Sequence, residues 1–334
     1  MSEILKVKES LTGYWFKNNE SPSEVKHEVD RTEYGELTLD NGEVLDSPCV
    51  LCHDIFCINA QIDDDVFDVL EVSQTKKLCP VDAIEIENKS IVVGDSCISC
   101  GLCVVSCPIG ALKFNENNVV SANNARDSLS SVADRVSLSD FQIISYDDFE
   151  VESEKFLRSV ISGILKSKSK TLTINRLITK AMSKLGVPTY LTRQGDVNLR
   201  MDAISRIGTR FYLVEIETLA NLDSPRDILD DVAVFCSRYD VDKELVTGII
   251  VLTELPNKRT EYWELIDDIE RVTGVRILTV PLAGILTLLW NNSELIVDDF
   301  FLSAQNTSGR NAVEKSLGRK LNLPESCNLI EAAK

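Results

Sequence analysis

The feature that most constrains this chain is a run of cysteines, Cys97-Ile-Ser-Cys100-Gly-Leu-Cys103-Val-Val-Ser-Cys107-Pro108, spaced C-x2-C-x2-C-x3-C-P. Thiolates at this spacing wrap three corners of an iron–sulfur cube, and the fourth cysteine, fixed by the proline, reaches a second cube. An earlier stretch echoes it: Cys49, Cys52 and Cys57, then 21 intervening residues, then Cys79-Pro80. The halves repeat at 28 residues, pairing Cys79 with Cys107, Pro80 with Pro108, Ala83 with Ala111, Ile84 with Leu112 and Ile86 with Phe114. Eight of the ten cysteines fall in this block, and the chain has only two histidines, His27 and His53, which excludes sites built from several imidazoles. Pairs of C-x2-C also suit zinc, but the C-x3-C-P run and the 28-residue echo favour iron. Two roles stay open for such clusters: redox work, or stapling a region too poor in large apolar side chains to fold alone.

The block, residues 46–116, resembles the bacterial two-cluster ferredoxins. The resemblance implies two [4Fe-4S] clusters that exchange their fourth ligands. One would take Cys97, Cys100, Cys103 and Cys79, the other Cys49, Cys52, Cys57 and Cys107. The expanded first motif departs from the family, so a [3Fe-4S] centre is the alternative for the second set.

Charge divides the remainder. The 334 residues carry a formal net charge of −18, yet between Lys155 and Arg193 there are nine basic residues and no acid. Lys166, Lys168, Lys170, Arg176, Lys180 and Lys184 form its centre. Such a stretch either lies on solvated helix surfaces or offsets phosphate charge. The N-terminus, MSEILKVKES, has no apolar run after its charges, and the apolar stretch from Val280 to Trp290 is too short for a bilayer. The chain therefore reads as cytoplasmic with no membrane partner. No glycine-rich fingerprint for a flavin or nicotinamide is present.

Periodicity supplies the architecture. Residues 1–45 read as strand-rich, with a hairpin around Asn41-Gly42, and residues 117–152, rich in Ser, Asn and Asp, read as a linker. From 153 the apolar spacing predicts helices over SEKFLRSVISGIL and TINRLITKAMSKL, the second closed by Gly186. Strands VPTYLTR, VNLRMDAISRI and RFYLVEIETL follow, then a helix capped by Ser224 with Pro225 first. LVTGIIVLT is a strand, EYWELIDDIERVT a helix and VRILTVPL a strand. The expected class is a multidomain α+β or α/β protein, with an α-β-β-β-α-β core over 153–303 and a polar tail over 304–334.

Asp202 lies in the second strand of this core, and Glu215 and Glu217, two apart in the third, share a face with Phe211, Leu213 and Val214 nearby. A hairpin can set Asp202 beside Glu215, an arrangement that is unfavourable unless a hard cation neutralises it. The order of elements and these carboxylates resemble the PD-(D/E)xK nuclease superfamily over residues 153–282. The resemblance implies Mg²⁺ or Mn²⁺ held by Asp202, Glu215 and the Ile216 carbonyl. Glu217 stands where lysine is usual, to orient water or hold metal, and Glu152 or Glu154 offers a further ligand. Arg200 and the basic stretch would grip a nucleic acid, DNA before RNA. The other readings are an electron-transfer protein whose C-terminal part docks a redox partner, and a redox-sensing DNA-binding module.

Overall fold

A computed structural model describes residues 72–73, 78–87, 90–107, 111–115, 117, 119–122, 153–192, 200–219 and 221–334. Cys49, Cys52 and Cys57, the hairpin expected near Asn41-Gly42 and most of the expected linker lie outside these residues. Among the described residues no helix is long and apolar enough to cross a membrane.

The cysteine segment is built twice over. Strands β2 (Ile84–Glu87) and β3 (Ser90–Val93) form one antiparallel pair; β4 (Leu112–Phe114) and β5 (Val120–Ala122) form the other. Between them runs a short helix, α1 (Leu102–Ser106). The sequence repeat thus reappears as a structural one: Ala83 N–H donates to Cys79 Sγ at 3.2 Å, and Ala111 N–H donates to Cys107 Sγ at 3.2 Å. Strand β5 falls inside the stretch expected as linker.

The larger part has three layers. Its six-stranded sheet runs β1 (Val72–Ser73), β6 (Thr189–Thr192), β7 (Ala203–Ile207), β8 (Arg210–Glu217), β9 (Val246–Leu252), β10 (Arg276–Pro281). The first four strands are antiparallel neighbours; β8, β9 and β10 are parallel, joined through helices α4 (Ser224–Tyr239) and α5 (Glu261–Thr273). Strand β1 comes from the insertion between Cys57 and Cys79, so that insertion supplies an edge to the main sheet.

Alternation along the strands decides what each face meets. Tyr212, Val214 and Ile216 of β8 face helices α2 (Glu154–Lys166), α3 (Lys170–Lys184) and α6 (Leu282–Trp290). Phe211 and Leu213 face the other way, toward Ile228, Val232 and Phe235 of α4 and Trp263 and Ile266 of α5. Val214 therefore lies opposite the carboxylate face, not beside it. Ser153 caps α2 by accepting from Phe156 N–H at 3.1 Å. Helix α3 starts at Lys170, three residues before the periodic run, and α4 is capped at Asp223 rather than Ser224.

Two pieces differ from expectation in kind. Helix α6, all nine residues buried, occupies the stretch that reads as plain apolar run, because a helix buried all round shows no amphipathic period. The tail is also no tail. Helix α7 (Arg310–Leu317) and the buried Cys327, Leu329 and Ile330 complete the core, and Arg310 pairs with Glu331 at 2.5 Å.

One apolar core continues from the cysteine segment into the α2/α3/α6 layer. Trp290, fully buried at the end of α6, donates its indole N–H to the Cys100 carbonyl at 2.8 Å. It stacks on Phe156 of α2 at 4.7 Å between centroids, and Phe156 meets Phe114 edge-on at 5.7 Å. Gly101 makes this docking possible. Its φ is +75°, and an added Cβ would lie 2.4 Å from Phe114 Cζ and 3.0 Å from Trp290 Nε1. Gly101→Ala is expected to cost about 1–2 kcal/mol from the left-handed backbone alone, with the overlap added. A melting temperature within a degree or two of wild type would contradict this docking.

Candidate functional site

Four thiols converge on one small cavity, partly open to solvent, lined by Cys79, Cys97, Cys100 and Cys103 with Ile84, Ile98 and Val120 among its apolar walls. Helix α1 supplies Cys103. The turn before it, with Ser99 at φ +53° and Gly101 in the same left-handed region, supplies Cys97 and Cys100. Cys79 enters from a second turn, closed by Asp82 N–H to the Cys79 carbonyl at 3.3 Å. Backbone donors already point at sulfur: Ala83 N–H at Cys79, and Ser99 N–H at Cys97 at 3.4 Å.

Burial pushes all four thiols above their ordinary range. The neighbouring sulfurs push Cys103 further still, Cys107 among them. Four thiolates in such a place need a compensating cationic group. A zinc ion would need its sulfurs about 2.3 Å from one centre; among the described residues no three Cys, His, Asp or Glu side chains form a group placed to hold a single ion. Four cysteines around one cavity are the ligand set that a single [4Fe-4S] group requires.

Residues 91–113 match the family model of the 4Fe-4S binding domain. The match contains Cys97, Cys100, Cys103 and Cys107. The chain is also 46% identical over 50 residues to an uncharacterized ferredoxin of Methanocaldococcus jannaschii, a stretch covering 15% of this chain and 32% of that protein. The chain thus spans about a third of the length of this curated relative. An iron–sulfur domain of ferredoxin type is therefore part of the protein.

The second group of residues sits at the far end of β7 and β8. Asp202 stands one residue before β7, not within it, but continues the register that pairs Ala203 with Val214 and so comes level with Glu215. Its two carboxylate oxygens are engaged: Asn175 Nδ2 donates to Oδ1 at 2.7 Å, and the Ile216 N–H donates to Oδ2 at 3.0 Å. Glu215 and Glu217 lie half-buried on the α4 side, where Asp227 and Asp231 of that helix add further negative charge. Burial first, then Asp202, Asp231, Glu217 and Asp227, push the Glu215 carboxyl up to about 9. Burial also raises Asp202, against the two hydrogen bonds it accepts, and Asp231 is lifted to about 6 although Arg200 opposes the shift.

Asn175, Asp227 and Asp231 were not legible as site residues. They belong to helices whose periodicity reports only packing. Among the described residues the buried Asn175 Oδ1 has no hydrogen-bond partner, beside the carboxyl its amide holds. Glu154 is elsewhere, paired with Arg158 at 2.8 Å, and Glu152 lies outside the described residues.

A pH dependence follows. A carboxyl whose folded value is raised stabilises the fold fully below its ordinary value, and that contribution is lost as pH rises through about 9. Protein without divalent cation is expected to lose thermal stability from neutral pH up to about pH 9, and Glu215→Gln to flatten that decline. A wild-type profile already flat there would mean that Glu215 is ionised in the fold.

The basic stretch splits. Lys166, Lys168 and Lys170 are exposed around the α2–α3 turn. Arg176, Lys180 and Lys184 are not a solvated stripe. Burial brings Lys180 down to about 7 and Lys184 to about 8, and Arg176 reaches Asp82 at 3.3 Å. Three of the seven expected phosphate contacts are thus partly buried, because the α3 face they occupy packs against the rest of the chain.

Proposed function

We propose that the chain is a metal-dependent nuclease acting on DNA, with [4Fe-4S] clusters docked against its α2/α3/α6 layer. One cluster would be held by Cys79, Cys97, Cys100 and Cys103, the other by Cys107 with Cys49, Cys52 and Cys57. The observation that carries the nuclease reading is the placement of Asp202 level with Glu215 at the ends of adjacent strands in an α-β-β-β-α-β order. These carboxyls are destabilised as anions by burial and by one another, which is the chemistry of a cation site. Mg²⁺ or Mn²⁺ bound there would polarise a phosphodiester and lower the pKa of an attacking water. Asp202, Glu215 and the Ile216 carbonyl are the ligands. Asn175 fixes the rotamer of Asp202, and Glu217 orients the water or takes a second ion. Exposed Arg200, Lys166, Lys168 and Lys170 would meet the phosphates.

The test is nicking of plasmid and single-stranded DNA with Mg²⁺ or Mn²⁺ added to the anaerobically purified protein. Replacing Lys166, Lys168 and Lys170 together by Ala is expected to weaken DNA binding and flatten its salt dependence, since each phosphate contact releases counterions. An unchanged salt slope would move the binding face elsewhere.

The family match favours a second reading, in which the chain is an electron carrier of ferredoxin type and its C-terminal layers dock a redox partner. Reversible one-electron reduction without any cleavage on either DNA would select it.

A further inference from the structure

Helix α3 touches the cysteine segment through a cationic edge. Arg176 Nη1 lies 3.3 Å from Asp82 Oδ2, and Asp82 closes the turn that presents Cys79. Among the described residues the buried Arg176 Nε–H has no hydrogen-bond partner, an unusual state for a guanidinium donor. Lys180, one turn further on, is half-buried where Arg176, Cys79 and Asp82 act on its charge. Arg176 thus stands against the turn that carries one ligand of the thiol cavity, and Lys180 is near enough for Cys79 to act on its charge.

We propose that Arg176 and Lys180 are positioning residues for the cluster on Cys79, Cys97, Cys100 and Cys103 and raise its reduction potential. The inference rests on the four-iron reading of that cavity and is independent of the nuclease reading. Four thiolates around a [4Fe-4S]²⁺ core leave the group net negative, and reduction adds one further electron with no bond made or broken. Cations held close in a low-dielectric setting stabilise the more negative, reduced state more than the oxidised one. Asp82, in the same turn as Cys79 and half-exposed, acts in the opposite sense.

The experiment is a dithionite titration of the anaerobic full-length protein, followed by electron paramagnetic resonance, with iron content measured on each sample. Lys180→Met and Arg176→Gln are each expected to lower the reduction equilibrium constant about tenfold, which for a one-electron couple is about 59 mV. Lys180→Arg should stay close to wild type. Asp82→Asn, which keeps a residue tolerant of the left-handed backbone at φ +52°, should shift the potential upward. A merely structural role would not produce opposite signs. Wild-type protein without a cluster signal overturns the four-iron reading itself. Full iron content with unchanged potentials in the α3 variants overturns the inference. Should those two variants lose iron, an Asp82→Asn potential equal to or below wild type overturns it instead.

Discussion

Cys103→Ser is expected to remove one cluster and to take much of the folded protein with it. Cys103 is buried on α1 and feels Cys100, Cys79, Cys97 and Cys107 as neighbouring charges, so it stands centrally among the described thiols. A hydroxyl in that place cannot supply the thiolate that the iron requires, and iron is expected to fall by about four atoms per chain. The damage should not stop there. The cavity wall includes Ile98 and Gly101; Ile98 sits 3.1 Å from where a Gly163 side chain on α2 would begin, and Gly101 lies under Trp290. If a cluster spaces the four sulfurs, its loss is expected to disturb the turn whose Cys100 carbonyl accepts from the Trp290 indole at 2.8 Å. The near-ultraviolet signal of the buried tryptophans should weaken and the melting transition broaden. Full iron content in the variant would refute the ligand assignment. Lost iron with an unchanged melt would show that the core continuous across the two parts does not depend on the cluster.

The cluster loop was legible because covalent spacing alone restricts what thiols can reach: Cys97, Cys100 and Cys103 must face one centre over so short a loop. The layer order was legible where elements are amphipathic. Helices α2, α4 and α5 each bury one face, and β8 alternates between two cores. Legibility failed where burial is complete or where contacts are distant in sequence. Helix α6 has no polar face from which a period could be read. The stretch after 304 looks polar, yet it buries Cys327, Leu329 and Ile330 against residues far back in the chain. Arg176 and Lys180 look like surface charges until the cysteine segment is packed against them, since a sequence does not say which helix face another segment covers. The carboxylate site was half legible. Glu215 and Glu217 follow from strand period, and Asp202 from register, whereas Asn175 reaches Asp202 from a helix 27 residues earlier.

If the chain is the metal-dependent nuclease proposed above, Asp202→Ala is expected to abolish its cleavage, and Glu217 variants would show how the site works. Removing the Asp202 carboxyl takes away a first ligand and also frees the Ile216 N–H and the Asn175 amide that it satisfies. The loss in rate should therefore reach several orders of magnitude with only a modest fall in stability, because the neighbouring carboxyls repel one another less once Asp202 is gone. Glu217→Gln is nearly isosteric and half-exposed, so folding and DNA binding should persist. If Glu217 holds metal or orients water, most cleavage should vanish with its charge. Glu217→Lys introduces the lysine that the proposed nuclease reading would expect there and sets a cation among Asp202, Glu215 and Asp227, whose mutual repulsion it would relieve. That variant should be more stable than wild type near neutral pH and partly active only if its ammonium reaches the attacking water. Equal silence from wild type and all three variants, on every DNA tried, would leave the carboxylate layer without catalysis and make the clusters the seat of function.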